Sequence, residues 1–475
     1  MRVAILSSEV VPYAKTGGLA DVSGALAKAL QAQGVDARLF LPLYDQINRQ
    51  LLSGSSVEEV LVDWRGKIRP TRFVQSLAGG VPAYLIDAPE YFARPSVYGY
   101  GDDHERFAFF SRAALASLKH LAWRPDIIHG NDWPCGFALM EVRARRRYDP
   151  FFSNVRTLFS IHNLGYQGAF DPADLWWLGF GEATDRDAFM LNGAASSMKA
   201  GLIATDVIST VSRRYAQEIQ TPEQGYGLDW LLRSRSDRLV GITNGVDYDI
   251  WNPETDPHIA ANFSAQDLSG KKQCKLDLLR RFGLPEEPER PIIATISRLV
   301  AQKGYDLIRQ TAAAILDTGS FFIGLGSGAR EYEDFLQAWH DSAPHRVAIY
   351  KGYAGEALAH QIEAGADIFL LPSYYEPCGL NQMYSMRYGT APLVRATGGL
   401  DDTVENFDPG RGTGNGFKFY DYSSAALLEK IREALYFYRQ PDVWQVIQRN
   451  GMARDNSWSA AGQKYSELYQ QMMLL

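Results

Sequence analysis

Two series of short, almost wholly apolar runs constrain this chain more than any other feature. Val3–Ser7, Ala37–Leu41, Asp126–His129, Thr157–His162 and Val207–Val211 form the first series. Ile292–Ile296, Phe321–Leu325, Val347–Tyr350, Ile368–Leu371 and Pro392–Val394 form the second. Runs of this kind, rich in β-branched and aromatic residues and without polar alternation, fit strands buried on both faces of a parallel sheet. Between the first two runs, Leu19, Val22, Leu26, Ala29 and Leu30 recur at helical spacing and Gly34 supplies a stop. That is a βαβ unit, so each half is expected to be doubly wound α/β.

The break between the series falls at Asn244-Gly245-Val246-Asp247 and Trp251-Asn252-Pro253. The expected domains are 1–245 and 246–457. Residues 458–475 read as an amphipathic helix with Ala461, Tyr465, Leu468 and Tyr469 on one side. The pattern leaves open which domain it covers, packing back on the N-terminal one being one arrangement.

A length of 475 residues allows two full cores, and 46% hydrophobic with 22% charged residues is the balance of an ordinary globular protein. The net charge of −7 argues against broad binding to nucleic acid or to an anionic membrane. The apolar runs are too short for a signal peptide or a membrane span. Cys135, Cys274 and Cys378 form no Cys-x-x-Cys pair, which fits reduced thiols in the cytoplasm. The eight histidines show no metal-ligand spacing, so no metal is expected.

Several strand ends carry groups suited to anions. Lys15-Thr16-Gly17-Gly18-Leu19 joins the first run to the first helix, where glycine amides and the helix dipole favour negative charge. Taken alone it reads equally well as a tight turn with a surface lysine. Arg298 and Lys303, five residues apart after Ile292–Ile296, suit a diphosphate whose departure builds charge on oxygen. Glu376 lies in Glu376-Pro377-Cys378-Gly379-Leu380, where Pro377 holds it extended and Gly379 and Leu380 precede a helix. A carboxylate there can grip sugar hydroxyls or face positive charge at an anomeric carbon. Thr397-Gly398-Gly399-Leu400 again presents amides after a strand. His129 and His162 end neighbouring runs, with Asp132 just beyond the first, which raises the odds that one of them lines a cleft. Tyr353 follows Val347–Tyr350 and on pattern alone reads as core. Gly324-Leu325-Gly326-Ser327-Gly328-Ala329 fits a loose dinucleotide pattern, but no ribose-binding acid follows the next strand.

Together these segments resemble the bacterial glycogen synthases and plant starch synthases, the family 5 glycosyltransferases. The resemblance runs from Ser8-Glu9-Val10 and Lys15–Leu19 through Ile161-His162-Asn163-Leu164 and Tyr166-Gln167-Gly168. It continues through Gly227-Leu228-Asp229, Asn244–Asp247, Ser297-Arg298-Leu299 and Gln302-Lys303-Gly304 to Glu376–Leu380 and Thr397–Leu400. It implies a GT-B fold, two Rossmann-like domains facing a deep cleft, with hinge closure that limits hydrolysis of the donor. It implies transfer of glucose from ADP-glucose to the non-reducing end of an α-1,4-glucan with retention, with no cofactor beyond the nucleotide sugar itself.

By that resemblance Arg298 and Lys303 bind the donor diphosphate and stabilise the departing nucleotide, and Glu376 orients the glucosyl unit. His162 and Asn244 contact the transferred sugar, and Asp132 lies on the acceptor side. The Lys15, Gly17 and Gly18 loop closes on the donor phosphates, and Tyr353 stacks on adenine, reversing its reading as core. Cys378, Gly379, Leu380, Thr397, Gly398 and Gly399 complete the donor-binding set, Gly379, Leu380 and Gly399 through their amides. Tyr384 stands where some other retaining transferases carry a second glutamate, which favours front-face displacement. The chain departs from the family at Asn131, where histidine is frequent, at Cys274, where asparagine is usual, and in a short Tyr98–Arg106 stretch. UDP-glucose as donor, a small sugar acceptor, or a silent glucan-binding protein remain the alternatives.

Overall fold

The computed structural model describes residues 1–77, 79–352 and 355–475. They form two compact units, Met1–Gly245 with Trp458–Leu475, and Val246–Ser457.

In the first unit the strands are β1 (Arg2–Leu6), β2 (Asp36–Pro42), β3 (Ser56–Trp64), β4 (Lys67–Ser76), β5 (Ala83–Asp87), β6 (Ile127–Asn131) and β7 (Arg156–Ile161). They continue with the short β8 (Ala169–Phe170), β9 (Met190–Leu191) and β10 (Ala194–Ser196), then β11 (Val207–Thr210) and β12 (Leu239–Gly241). Among the described residues the main sheet runs β12-β11-β7-β6-β1-β2-β5-β4-β3. It is parallel from β12 to β5, and β4 and β3 extend it antiparallel.

The expected runs all lie on the parallel portion. The β3–β4 hairpin has a different pattern: Val60, Val62 and Trp64 are buried, whereas Glu59, Leu61 and Asp63 between them are exposed. One face of this hairpin meets solvent, so its strands alternate, and a search for continuous apolar runs passes over them.

The second unit holds β13 (Ile292–Ile296), β14 (Phe321–Gly326), β15 (Val347–Lys351), β16 (Ile368–Leu371), β17 (Ala391–Arg395) and β18 (Phe417–Phe419). They form one parallel sheet in the order β15-β14-β13-β16-β17-β18. Ile293, Phe322, Ile368 and Leu370 enter the core on one face. Ile292, Ala294, Phe321, Ile323, Phe369 and Leu371 enter the core on the other. Successive side chains thus go to opposite faces and both faces are covered, which is why these strands read as unbroken apolar runs.

The first helix spans Gly18–Ala32 and buries Val22, Leu26, Ala27 and Leu30. Gly34 then takes a φ of +81°. The last helix, Trp458–Met472, buries Ala461, Gly462, Tyr465, Leu468 and Tyr469 and belongs to the first unit. Its Tyr469 hydroxyl meets Nδ1 of His129 at 2.8 Å, and the other ring nitrogen of His129 meets Ser160 Oγ. His129 is fully buried, and burial drives it down to about 3. It ties the last helix to β6 and β7 and lines no cleft. No helix of the described residues is long and apolar enough to cross a membrane.

An added Cβ at Gly462 would lie 2.9 Å from Ala29 Cβ on the first helix. Gly462→Val is therefore expected to destabilise the first unit by about 1–3 kcal/mol through overpacking. Urea unfolding measures this, and an unchanged midpoint would refute the packing of these two helices.

Candidate active site

In the second unit the candidate residues follow the C-terminal ends of β13, β16 and β17, where open α/β sheets gather their ligands. Two glycines draw three loops together there. Gly304 has a φ of +76°, and a Cβ on it would sit 2.1 Å from the Pro372 carbonyl oxygen. Gly398 has a φ of +45°, and its Cβ would sit 1.9 Å from the Glu376 carbonyl oxygen. A side chain at either position is excluded by both backbone conformation and space. The Lys303 loop and the Thr397–Gly399 turn therefore press on the Glu376 segment from two sides.

Glu376 is 7% exposed. Lys303 Nζ donates to its Oε2, and Ser373 Oγ donates to the same oxygen at 3.3 Å. Gln302 locks the two loops: its Nε2 donates to the Tyr375 carbonyl at 3.1 Å, and its own carbonyl accepts from the Tyr374 amide at 2.8 Å. Arg298 is exposed and, among the described residues, makes no ion pair. One cation is thus held against a buried carboxylate while its neighbour stays open to an incoming anion.

Cys378 is buried, and its carbonyl accepts from Gln382 Nε2 at 3.1 Å, as does that of Gly379 at 3.0 Å. Leu380 precedes the helix Asn381–Arg387. The Gly399 amide donates to the carbonyls of Glu376 and Pro377, both at 3.1 Å. In this structure it therefore braces the Glu376 segment from within, which corrects the expectation that it faces a ligand. Thr397 precedes the short helix Gly398–Thr403. Tyr353 lies outside the described residues.

In the first unit, Lys15 pairs with Asp21 at 2.8 Å and is about half exposed. Thr16 and Gly17 do not present their amides to solvent: both donate to Glu9 Oε2, from Gly17 at 3.1 Å. The other oxygen of Glu9 accepts from the Tyr98 hydroxyl at 2.7 Å, which also meets Ser8 Oγ at 2.7 Å. An internal carboxylate therefore already occupies part of the anion-favouring cradle, a second correction to the sequence reading. Glu9 is 3% exposed. Its signal in the sequence was an acid at the end of a buried strand, beside a loop rich in amide donors.

Asp132 follows β6 with φ 55° and ψ −178°. For a residue with a Cβ this region costs on the order of 1–3 kcal/mol and persists only where the surroundings enforce it. They do so here. Its amide donates to the Ser160 carbonyl at 2.9 Å, and its Oδ1 accepts from the His162 amide at 2.7 Å. Burial pushes the Asp132 carboxyl up to about 7, with Glu9 adding to the rise and the His162 and Asn163 amides opposing it.

Asn131 orients His162. Its Nδ2 donates to the Leu6 carbonyl at 3.1 Å, so its Oδ1 accepts from His162 Nε2 at 2.9 Å. That bond places the proton on Nε2 and leaves Nδ1 as the acceptor. Burial drives His162 down to about 4, so it is neutral near pH 7. Asn244 is buried, and its Oδ1 has no hydrogen-bond partner among the described residues. An orphaned buried acceptor of this kind is uncommon. Among the described residues no three His, Cys, Asp or Glu side chains are placed to hold a metal ion.

Residues 2–234 match the family model described as "Starch synthase catalytic domain", and residues 279–444 match "Glycosyl transferases group 1". The glycogen synthase of Koribacter versatilis (strain Ellin345) is 45% identical over 485 aligned positions, covering 99% of this chain and 98% of its own. That of Bacillus cereus (strain ATCC 14579) is 41% identical, with both chains covered in full. Among solved structures, the catalytic domain of starch synthase IV from Arabidopsis thaliana, bound to ADP and acarbose, aligns with a TM-score of 0.90 at 33% identity. It covers 100% of this chain and 99% of its own. Sucrose-phosphate synthase from Thermosynechococcus elongatus shares the fold, with a TM-score of 0.62 at 18% identity over 100% and 99% of the two chains. The architecture is that of the GT-B glycosyltransferases, with a Rossmann-like parallel sheet in each unit. The chain belongs to the glycogen and starch synthase family and is a glycosyltransferase.

Proposed function

We propose that this enzyme transfers glucose from ADP-glucose to the non-reducing end of an α-1,4-glucan, with retention at the anomeric carbon. The observation that carries the reading is the buried Glu376 carboxylate held by Lys303 beside the open Arg298. A nucleoside diphosphate sugar has a part for each: the diphosphate for the two cations and the glucosyl hydroxyls for the carboxylate. The starch synthase IV complex with ADP supports adenine as the base. The second unit would supply these donor contacts together with Cys378, Gly379, Leu380, Thr397 and Gly398. The first would supply Lys15 and Gly18 for phosphate, His162 and Asn244 for the transferred sugar, and Asp132 for the acceptor.

In the proposed step the bond from C1 to the diphosphate oxygen breaks, and the acceptor hydroxyl forms its bond to C1 on the same face. The departing phosphate oxygen takes the hydroxyl proton. Arg298 and Lys303 stabilise the charge that grows on that oxygen, a contribution that is largest in a site shielded from water. His162, neutral and with Nε2–H fixed on Asn131, keeps Nδ1 free to accept a sugar hydroxyl. Cationic side chains do the work a metal would otherwise do, so activity is expected to survive EDTA.

The deciding assay supplies glycogen with ADP-glucose or UDP-glucose and follows nucleotide release against new α-1,4-linked glucose. Faster ADP release matched by chain growth supports the reading. A UDP-glucose preference changes the donor, growth only on a small sugar changes the acceptor, and glycogen binding without turnover favours a silent glucan-binding protein. Trapping a covalent glucosyl-enzyme would overturn front-face displacement.

Lys303→Ala is expected to lower kcat by about a hundred- to a thousandfold, the usual loss when one donor to a developing oxyanion is removed. Circular dichroism should report an unchanged fold, and near-normal kcat would remove Lys303 from its role.

The Asp132 carboxyl, held at about 7, gives a pH signature. If the ionised form accepts from the acceptor hydroxyl, kcat/KM for glucan falls about tenfold per unit as pH drops below that value, and Asp132→Asn flattens this limb. Stability runs the other way. A carboxyl with a raised folded-state pKa stabilises fully below its unfolded value of about 4 and loses that contribution as pH rises through the folded value. Asp132→Asn should therefore raise the unfolding midpoint at about pH 8 and change it little at about pH 4. Equal shifts at both would contradict the burial of this group.

A further inference from the structure

The second unit contains a cavity of about 660 Å³ at the end of its sheet opposite the candidate site. Arg290 and Pro291 on its wall directly precede β13, Gly319 lies just before β14, and Asp367 directly precedes β16. Arg298, Lys303 and Glu376 follow the other ends of β13 and β16. A parallel sheet keeps its two ends apart, so this space is separate from the donor-binding residues.

Its lining is basic in a protein that is acidic overall. Lys271, Lys272, Lys275, Arg290 and Arg439 face two carboxylates, Glu289 and Asp367. Among the described residues one firm ion pair neutralises them within the cavity, Lys275 to Asp367 at 2.7 Å with both side chains buried. Lys272 meets Glu289 at 3.3 Å between two exposed side chains, a contact of little worth. Arg290 turns to Glu287 at 2.9 Å, and Arg439 makes no ion pair among the described residues.

Lys271 is the informative member. It is 5% exposed, and its ammonium donates to the Ala364 carbonyl at 2.9 Å and Thr390 Oγ1 at 2.7 Å, both neutral oxygens. Burial pulls it down to about 8, against the nearby charge of Asp367. A buried ammonium without a carboxylate in contact is costly. Lys271 and Lys272 also sit in the first turn of the helix Ser269–Arg281, which carries no acid and where the helix dipole disfavours cations. The Lys271 ammonium also lies 5.7 Å over the Phe263 ring, while the dipole of its own helix opposes the cations gathered at that end, whose charge an anion would offset.

The rest of the wall suits a compact organic body. Tyr438 and Trp444 pack edge to face at 5.2 Å, and Thr318 and Gln445 supply polar contacts. The volume falls within the range of roughly 300–1,000 Å³ typical of small-molecule sites. We propose that this cavity binds a small phosphate ester, its phosphate on the exposed Lys272 and Arg439 cations, with the buried Lys271 adding its charge from within the wall, and its sugar-sized body against Tyr438 and Trp444.

The test is calorimetric titration of the full chain with fructose 1,6-bisphosphate, ribose 5-phosphate and inorganic phosphate, with saturating ADP present to fill the donor site. The expected result is saturable binding of both esters, tighter than that of free phosphate and absent for fructose. The Lys272→Ala/Arg439→Ala double variant, altered only at exposed cations, should bind at least tenfold more weakly. It should keep the parent unfolding midpoint and basal glucan elongation. Absence of saturable ester binding, displacement by ADP, equal binding by the variant, or free phosphate as tight as the esters would each overturn the proposal.

Discussion

The second-unit half of the candidate site depends on one ion pair, from the partly buried Lys303 to the buried Glu376, and on the backbone that makes it unavoidable. A carboxylate and an ammonium taken out of water lose several kcal/mol of hydration each, and only close geometry with further hydrogen bonds offsets that loss. Here the geometry is imposed by contacts that leave no room for a side chain. Gly304 lets the lysine loop reach the Pro372 carbonyl, and Gly398 lets the next turn reach the Glu376 carbonyl. Gly399 and Gln302 then close the arrangement with backbone hydrogen bonds. Lys303 is thus already positioned with no ligand present, and Arg298 makes no ion pair among the described residues, so the proposed diphosphate would meet two cations at little ordering cost.

The parallel part of the fold was legible because burial on both faces writes itself as unbroken apolar runs. β13 and β16 fall at the expected residues, and Gly34 closes the first helix. The β3–β4 hairpin was not legible by the same rule, because one of its faces is wet and its strands alternate. The placement of Arg298, Lys303 and Glu376 just beyond strand ends could be read from the apolar runs that precede them. What could not be read is which polar groups the protein uses on itself. The Gly399 amide and those of Thr16 and Gly17 look like ligand donors in a string of letters, yet internal oxygens take them. His129 and His162 look alike in sequence, and only packing separates a histidine that anchors Tyr469 from one aligned by Asn131.

Asn131 shows how a departure from a family pattern can be absorbed. A histidine at that position would itself titrate near neutrality, whereas an amide cannot. Asn131 fixes the tautomer of His162 through a neutral carbonyl oxygen, so the orientation of His162 does not depend on the protonation of its neighbour. The strained backbone at Asp132 belongs to the same arrangement, because its carboxylate accepts from the amide of His162. Two adjacent residues at the end of β6 thus hold the ring and the backbone of the same histidine.

The Glu9 carboxylate bears on how the first unit meets a phosphate. Amides at the start of the Gly18–Ala32 helix carry partial positive charge that any anion would satisfy. Glu9 satisfies two of them permanently, held in turn by Tyr98. This keeps the loop folded with no ligand present, but it removes those amides from the donors open to phosphate and adds a fixed negative charge nearby. The proposed attraction of a phosphate to this loop would therefore fall mainly to Lys15, which is solvent-exposed and, among the described residues, paired with Asp21 through a surface ion pair of small strength. A weakly tethered lysine on an internally neutralised loop can leave Asp21 for a stronger anion at little cost. That exchange breaks none of the backbone hydrogen bonds that Thr16 and Gly17 make to Glu9.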